Sequence, residues 1–256
     1  MKHTHKLAGA LLLAAVGIGL AVPSATKATS EHAGKGHINF NQSGGVPDVG
    51  GSDAYKPGES TDPITEPTNN PDRGALRIAN VSDLEFDTHQ IITDENAVKT
   101  YDAKAFETTY VESGAATTTT NFIRFMDADA GVAQNHHTVS AMITSQFTNG
   151  TTTLSGSTIT YKNIHLVTGT NPTTMPDVTN ASVTLPNTSE INETAKQVVY
   201  TNKQAGKGFG TFELTFGDLA DQTTWDKSVT LTIPSDLTIR TGDYNAEVTW
   251  YIERAN

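Results

Sequence analysis

The chain has 256 residues, a formal net charge of −11 and no cysteine. The missing thiols exclude disulfides, thiol catalysis, cysteine-ligated metals and a lipidated N-terminal cysteine, so an exported domain of this sequence must be held by its core. The acidic balance excludes nucleic acid and other polyanions as electrostatic partners.

Lys2, His3, His5 and Lys6 make a basic start, Leu7 to Val22 is an unbroken small and apolar run, and small residues follow through Ala28. This predicts a secretory signal over residues 1–28, cut within 24–28. The run falls short of the about 20 apolar residues a span requires, so no transmembrane segment is expected in the mature chain. Residues 29–74 read as a disordered Pro/Gly/Asp-rich linker, with a turn-rich stretch from Ser43 to Asp53 and then Pro57, Pro63, Pro67 and Pro71. Such composition buries too little apolar area to offset ordering entropy. Within it, His37-Ile38-Asn39-Phe40 alternates and leaves two readings open, linker or a strand paired onto the domain.

Residues 75–256 change to short alternating runs. Leu76 and Ile78, then Leu84 and Phe86, take every second place. Phe212, Leu214 and Phe216 alternate with Thr211, Glu213 and Thr215; Val229, Leu231 and Ile233 alternate with Ser228, Thr230 and Thr232. Period two with threonine on the wet face predicts half-buried strands. Turn residues fill the gaps, as in Asn149-Gly150 and Thr241-Gly242-Asp243. The expected fold is all-β, an antiparallel β-sandwich or barrel-like domain following the linker.

Catalytic signatures are lacking: there is no His-Glu-x-x-His, Gly-x-Ser-x-Gly or phosphate-cradling glycine loop. Asp127-Ala128-Asp129-Ala130-Gly131 starts like a calcium loop, but Thr138 stands where the bidentate Glu belongs, which leaves an acidic turn between strands. His136 and His137 are neighbours and would face opposite sides of a strand, so they do not chelate one ion together. No catalytic residue, metal ligand or cofactor is assigned. His137, Val139, Ala141 and Ile143 share a face, with the imidazole at the mouth of an apolar row; taken alone, this stretch reads as a core histidine satisfied by one hydrogen bond.

At the end of the chain, Tyr244, Ala246, Val248, Trp250 and Ile252 fall on one face and Asn245, Glu247, Thr249, Tyr251 and Glu253 on the other. The pattern Tyr244-x-x-x-Val248-Thr249-Trp250-x-Ile252 resembles the distal motif of WxL-domain surface proteins of Gram-positive bacteria. Ile252 replaces the usual Leu, and Asn256 stands where that family has Pro. Ala75 to Phe86 is similar to the family's domain start, Gly208-Phe209-Gly210-Thr211-Phe212 to its Gly-x-Gly-Thr-Trp element, and Ser228 to Pro234 to its penultimate strand. The family's proximal Trp-x-Leu, a few residues before Gln146-Phe147, is here His137-Thr138-Val139. Histidine buries less apolar area than indole.

The resemblance implies a secreted protein held non-covalently at the cell surface and cell wall, bound to peptidoglycan and to WxL-interacting or other surface proteins. The chain stops four residues after Ile252 without lipid site, sorting motif or apolar tail, so retention is expected through contact. The expected binding residues are Trp250, Ile252, His137, Val139, Tyr244 and Thr249, with Trp250 open to a purely structural role as well. The alternative is a released adhesin or carbohydrate-binding β-sandwich. A hydrolase has no motif in its favour.

Overall fold

The computed structural model describes residues 29–40, 54–59, 61–67, 70–71, 74–94, 96–129, 131–168 and 172–255; the expected signal over 1–28 lies outside them. The described residues contain β1 (Thr29–Phe40), β2 (Ala54–Tyr55), β3 (Pro63–Ile64), β4 (Leu76–Val81), β5 (Leu84–Thr88), β6 (Lys99–Asp102), β7 (Phe106–Thr109), β8 (Ala116–Thr119) and β9 (Asn121–Asp127). They continue with β10 (His137–Thr148), β11 (Thr158–Lys162), β12 (Ile164–Thr168), β13 (Val183–Thr184), β14 (Thr188–Ile191), β15 (Gln197–Asn202), β16 (Gly210–Phe216), β17 (Val229–Ile233) and β18 (Gly242–Arg254). The fold is all-β, as the alternation predicts.

Three sheets share one apolar core. The largest has the order β13-β15-β10-β18-β1-β5, and two four-stranded sheets have the orders β12-β16-β9-β4 and β14-β11-β17-β6. Side chains from all three sheets form a continuous buried cluster that includes Ile38, Phe125, Ile143, Ile159, Phe212, Leu231 and Trp250. Period two produces this directly: Val229, Leu231 and Ile233 turn inward from β17 and are all but fully buried. The closing strand β18 sits in the middle of the largest sheet. It pairs antiparallel with β1, from Thr29↔Glu253 to Phe40↔Gly242, and antiparallel with β10, from His137↔Arg254 to Thr148↔Asn245.

The linker expected over 29–74 does not hold for its described residues; 41–53, 60, 68–69 and 72–73 lie outside them. The first described strand, β1, is a full-length member of the largest sheet, so the run His37 to Phe40 is a strand after all and extends back to Thr29. Farther on, β2 and β3 pair as a hairpin, and Ala54 and Ile64 pack with Phe106, Phe122 and Tyr110 in a second, smaller core. Asn70 is fixed to β4 through its backbone N–H to Ala79 O (2.8 Å) and its Nδ2 to Ile78 O (2.8 Å). The domain boundary expected at residue 75 therefore falls inside the folded body. Composition misled here because proline and glycine disfavour regular strands, whereas a chain laid over an existing sheet needs only a few apolar anchors and hydrogen bonds.

That cover also corrects the face assignment of β16. Glu213 and Thr215, expected on the wet face, are fully buried. Opposite them on β9 stand Arg124 and Phe122. Arg124 Nε donates to Glu213 Oε1 (2.8 Å), its Nη2 reaches Tyr55 O (3.1 Å), and its guanidinium lies 5.2 Å from the Tyr55 ring centroid. The Gly58 N–H donates to the other Glu213 oxygen (3.3 Å). The segment around β2 thus closes over an ion pair that the bare sheet would leave in water. Burial pushes the Glu213 carboxyl above its ordinary range, while Arg124 pulls it back.

Candidate functional site

The two sequence elements singled out by the resemblance lie on adjacent strands. In the β10–β18 register Val139 is opposite Ile252 and Ala141 is opposite Trp250, so these side chains and His137 point to the same side of the sheet. That side is the core. Trp250 is 1% exposed, and Ile252, Val139, His137 and Tyr244 are 0% exposed. Thr249, which points to the opposite side, is 7% exposed.

The strand pair holds the indole and the imidazole at different ends of the core. His137 is four residues along β10 from Ala141, the partner of Trp250, which separates them by about 13 Å. Trp250 packs on Phe216 (centroids 5.7 Å apart, planes 26°) and edge-on to Tyr161 (5.4 Å, 75°). His137 packs against Phe125 (5.4 Å) and Tyr200 (5.7 Å). Both rings are packed between the sheets. Tyr244 also has a structural position: its hydroxyl donates to Arg240 O (3.1 Å) and accepts from Arg240 N–H (3.2 Å), fixing the entry into β18. Thr249 and Thr144 link β18 to β10 through their hydroxyls, 2.7 Å apart.

A polar node escaped the sequence reading. Asp127 ends β9, on the inward face, and is fully buried. His137 Nδ1 lies 3.2 Å from its Oδ2, Asn135 Nδ2 donates to Oδ1 (3.0 Å), and Arg254 makes a forked ion pair with both oxygens, its Nη2 reaching Oδ1 at 2.9 Å. The same Nη2 reaches Asp129 Oδ2 at 3.1 Å. Burial pushes the Asp127 carboxyl up, but the hydrogen bonds from His137, Arg254 and Asn135 outweigh it and hold it below its ordinary pKa. The acidic turn, the histidine pair and the last strand were read as separate features. Their signal was a set of polar residues placed just where apolar alternation breaks: Asp127, His137 and Arg254 all stand at strand ends.

The glycines of 208–210 border this node. Gly208 has φ +93°, and a Cβ there would stand 2.3 Å from Asn202 Nδ2 and 2.5 Å from Asn135 O. Only glycine lets the chain pass so close to the two asparagines that frame His137. Asn202 Nδ2 donates to Asn135 O (3.1 Å) and to Lys207 O (3.2 Å), which ties the loop to the node.

Among the described residues no group of three or more His, Cys, Asp or Glu could hold a metal ion, and the Asp127 carboxylate is engaged by a guanidinium and an amide. No described helix is long and apolar enough to cross a membrane. Chemically, the arrangement forms a rigid sheet whose central strands are locked by aromatic packing at one end and by charged hydrogen bonds at the other.

The model of the WxL domain, described as a surface cell wall-binding domain, matches residues 27–255. No curated protein and no solved structure matches the chain. The match begins two residues before β1 and ends one residue after β18, so it takes in the N-terminal strand and the cover over β9 and β16 as well as the closing motif. The chain therefore belongs to the WxL domain family of surface cell wall-binding proteins, and its place is the cell surface.

Proposed function

We propose that this domain attaches non-covalently to the peptidoglycan of the wall and serves there as an assembly point for other surface proteins, WxL-interacting proteins among them. The observation that carries the reading is the extent of the family match, which covers the folded body from the first described strand to the last. The charge supports the choice of ligand: a chain of net charge −11 gains nothing by electrostatics from anionic wall polymers, so the glycan–peptide layer or a protein is the better partner. In this reading Trp250, Ile252, His137, Val139, Tyr244 and Thr249 serve binding by holding the sheet in shape. Direct contact with a ligand would require the sheet to open, because none of the six is more than 7% exposed.

The test is co-sedimentation of the purified domain with peptidoglycan sacculi stripped of anionic polymers, with and without added surface proteins. The expected result is binding to stripped sacculi that persists as salt is raised, since salt screens only a repulsion here. Binding lost on stripping would refute the peptidoglycan reading. Binding only with an added surface protein would leave the assembly role alone. Recovery of the native protein mainly from the medium would favour the released adhesin.

A further inference from the structure

The strand β1 is held in an unusual way. It has no neighbour close in sequence: one side pairs with β18 at the far end of the chain, and the other meets β5 in parallel only at Gly36↔Leu84, His37↔Glu85 and Asn39↔Thr88. Its inward residues are Ser30, His32, Gly34, Gly36 and Ile38, opposite Ile252, Trp250, Val248, Ala246 and Tyr244. Ile38 is the one large apolar side chain among these five. The attachment rests on the backbone ladder along β18, on the fit of very small residues beneath it, and on two polar contacts from Lys35 N–H to Asp83 Oδ1 (3.2 Å) and from His37 Nδ1 to Glu85 Oε2 (2.9 Å).

That fit is selective. A Cβ on Gly34 would stand 2.4 Å from Val81 Cγ1, and one on Gly36 would stand 3.2 Å from Phe147 Cζ. The slot beside β18 therefore demands glycine at the first of these positions, favours it at the second and takes an aliphatic residue two places on. This chain carries that pattern itself, in Gly34-Lys35-Gly36-His37-Ile38. The ladder is the same whether β1 comes from its own chain or from another copy.

We propose that this slot is a strand-exchange site, filled in trans by β1 of a second copy of this chain. Thirteen residues, 41–53, join β1 to β2 in the sequence, a contour of at most about 45 Å. For a connection of that length, a strand of the same chain competes at an effective concentration on the order of millimolar. Dilute protein accordingly keeps β1 in cis, and copies crowded at a surface exchange it, a closed two-fold swap being the simplest product. No thiol in the chain fixes either arrangement covalently. The proposal does not depend on peptidoglycan binding, and failure of either leaves the other standing.

The absence of cysteine makes the test clean. Lys35 and Glu247 are directly opposite each other and exposed, and paired strand residues lie within disulfide reach. Lys35→Cys and Glu247→Cys are made in separate full chains, mixed, co-refolded from denaturant and oxidised. A trans strand gives a covalent heterodimer whose yield rises steeply between about 10 µM and about 1 mM. Lys35→Cys mixed with Asp243→Cys, four residues out of register, gives little. The double variant Lys35→Cys/Glu247→Cys, refolded dilute, closes its bond within the monomer. A mixture that stays monomeric at about 1 mM while the double variant closes overturns the proposal. So does equal yield from the out-of-register pair, which means random collision. Failure of the double variant to close also overturns it, because β1 then does not occupy the rung on which the proposal is built.

Discussion

Replacing Trp250 by alanine separates packing from contact. The indole is 1% exposed and lies between Phe216 of one four-stranded sheet and Tyr161 of the other, so it joins three sheets at one point. Truncating a buried tryptophan costs about 3–5 kcal/mol through lost transfer energy and the cavity left behind. The two aromatic contacts place this site at the upper end, since each pair adds about 0.5–1.5 kcal/mol beyond area. For a body of this size each kcal/mol lowers the melting temperature by about 2–4 °C, so Trp250→Ala is expected to melt roughly 6–20 °C below the parent. Trp250→Phe keeps a ring against Phe216 and is expected to lose about 1–2 kcal/mol. Calorimetry or circular dichroism reads the melt, and sacculus co-sedimentation well below both midpoints reads binding. The expected result is a lowered melt with unchanged binding per folded molecule. An unchanged melt with binding lost would refute the core assignment and make the indole a contact residue.

Asp127→Asn is expected to destabilise the domain by about 3–5 kcal/mol at neutral pH by leaving the Arg254 and His137 positions without their anion, measured by urea denaturation. The folded-state pKa of Asp127 is held below its ordinary value, so its contribution is present above the unfolded pKa and is lost as pH falls through the folded one; the difference between parent and variant should shrink on acidification below about pH 4. Arg124→Met strands Glu213 in the cover and is expected to cost about 3–5 kcal/mol, with proteolysis accelerated in the 54–67 segment; adding Glu213→Met should restore most of the loss. The hydrogen bond that the His37 ring donates to Glu85, opposed by burial, holds His37 above its ordinary pKa, so the pair stabilises below the unfolded histidine pKa and fades as pH rises through the folded one. Both side chains are more than a third exposed (36% and 44%), so His37→Ala should cost only a few tenths of a kcal/mol near pH 6 and nothing near pH 9, with NMR titration of the His37 ring as the direct check.

The legible parts of this protein were those set by local periodicity. Alternation put Val229, Leu231 and Ile233 on one face, and Tyr244, Val248, Trp250 and Ile252 on another, and those faces are the ones the core takes up. The order of elements also sufficed to bring out the family. Less legible was what covers each face. Glu213 reads as wet from its own strand; it is dry because residues more than a hundred and fifty positions away fold over it, with Gly58 donating to it. Glycine and proline made the N-terminal segment read as a tether, although at Gly34 Val81 leaves no room for a Cβ and at Gly36 Phe147 leaves only a tight fit for one.

The sequence by itself determined a cysteine-free, all-β body with a strand near its end that puts its indole on the apolar side, because these follow from composition and a two-residue period. Only the tertiary structure decided that the first described strand lies beside the last, that Asp127, His137 and Arg254 meet, and that every expected contact residue is buried. Period two tells which side chains share a face; whether that face meets water, another sheet or a covering segment depends on pairings across the whole chain, which no local pattern encodes.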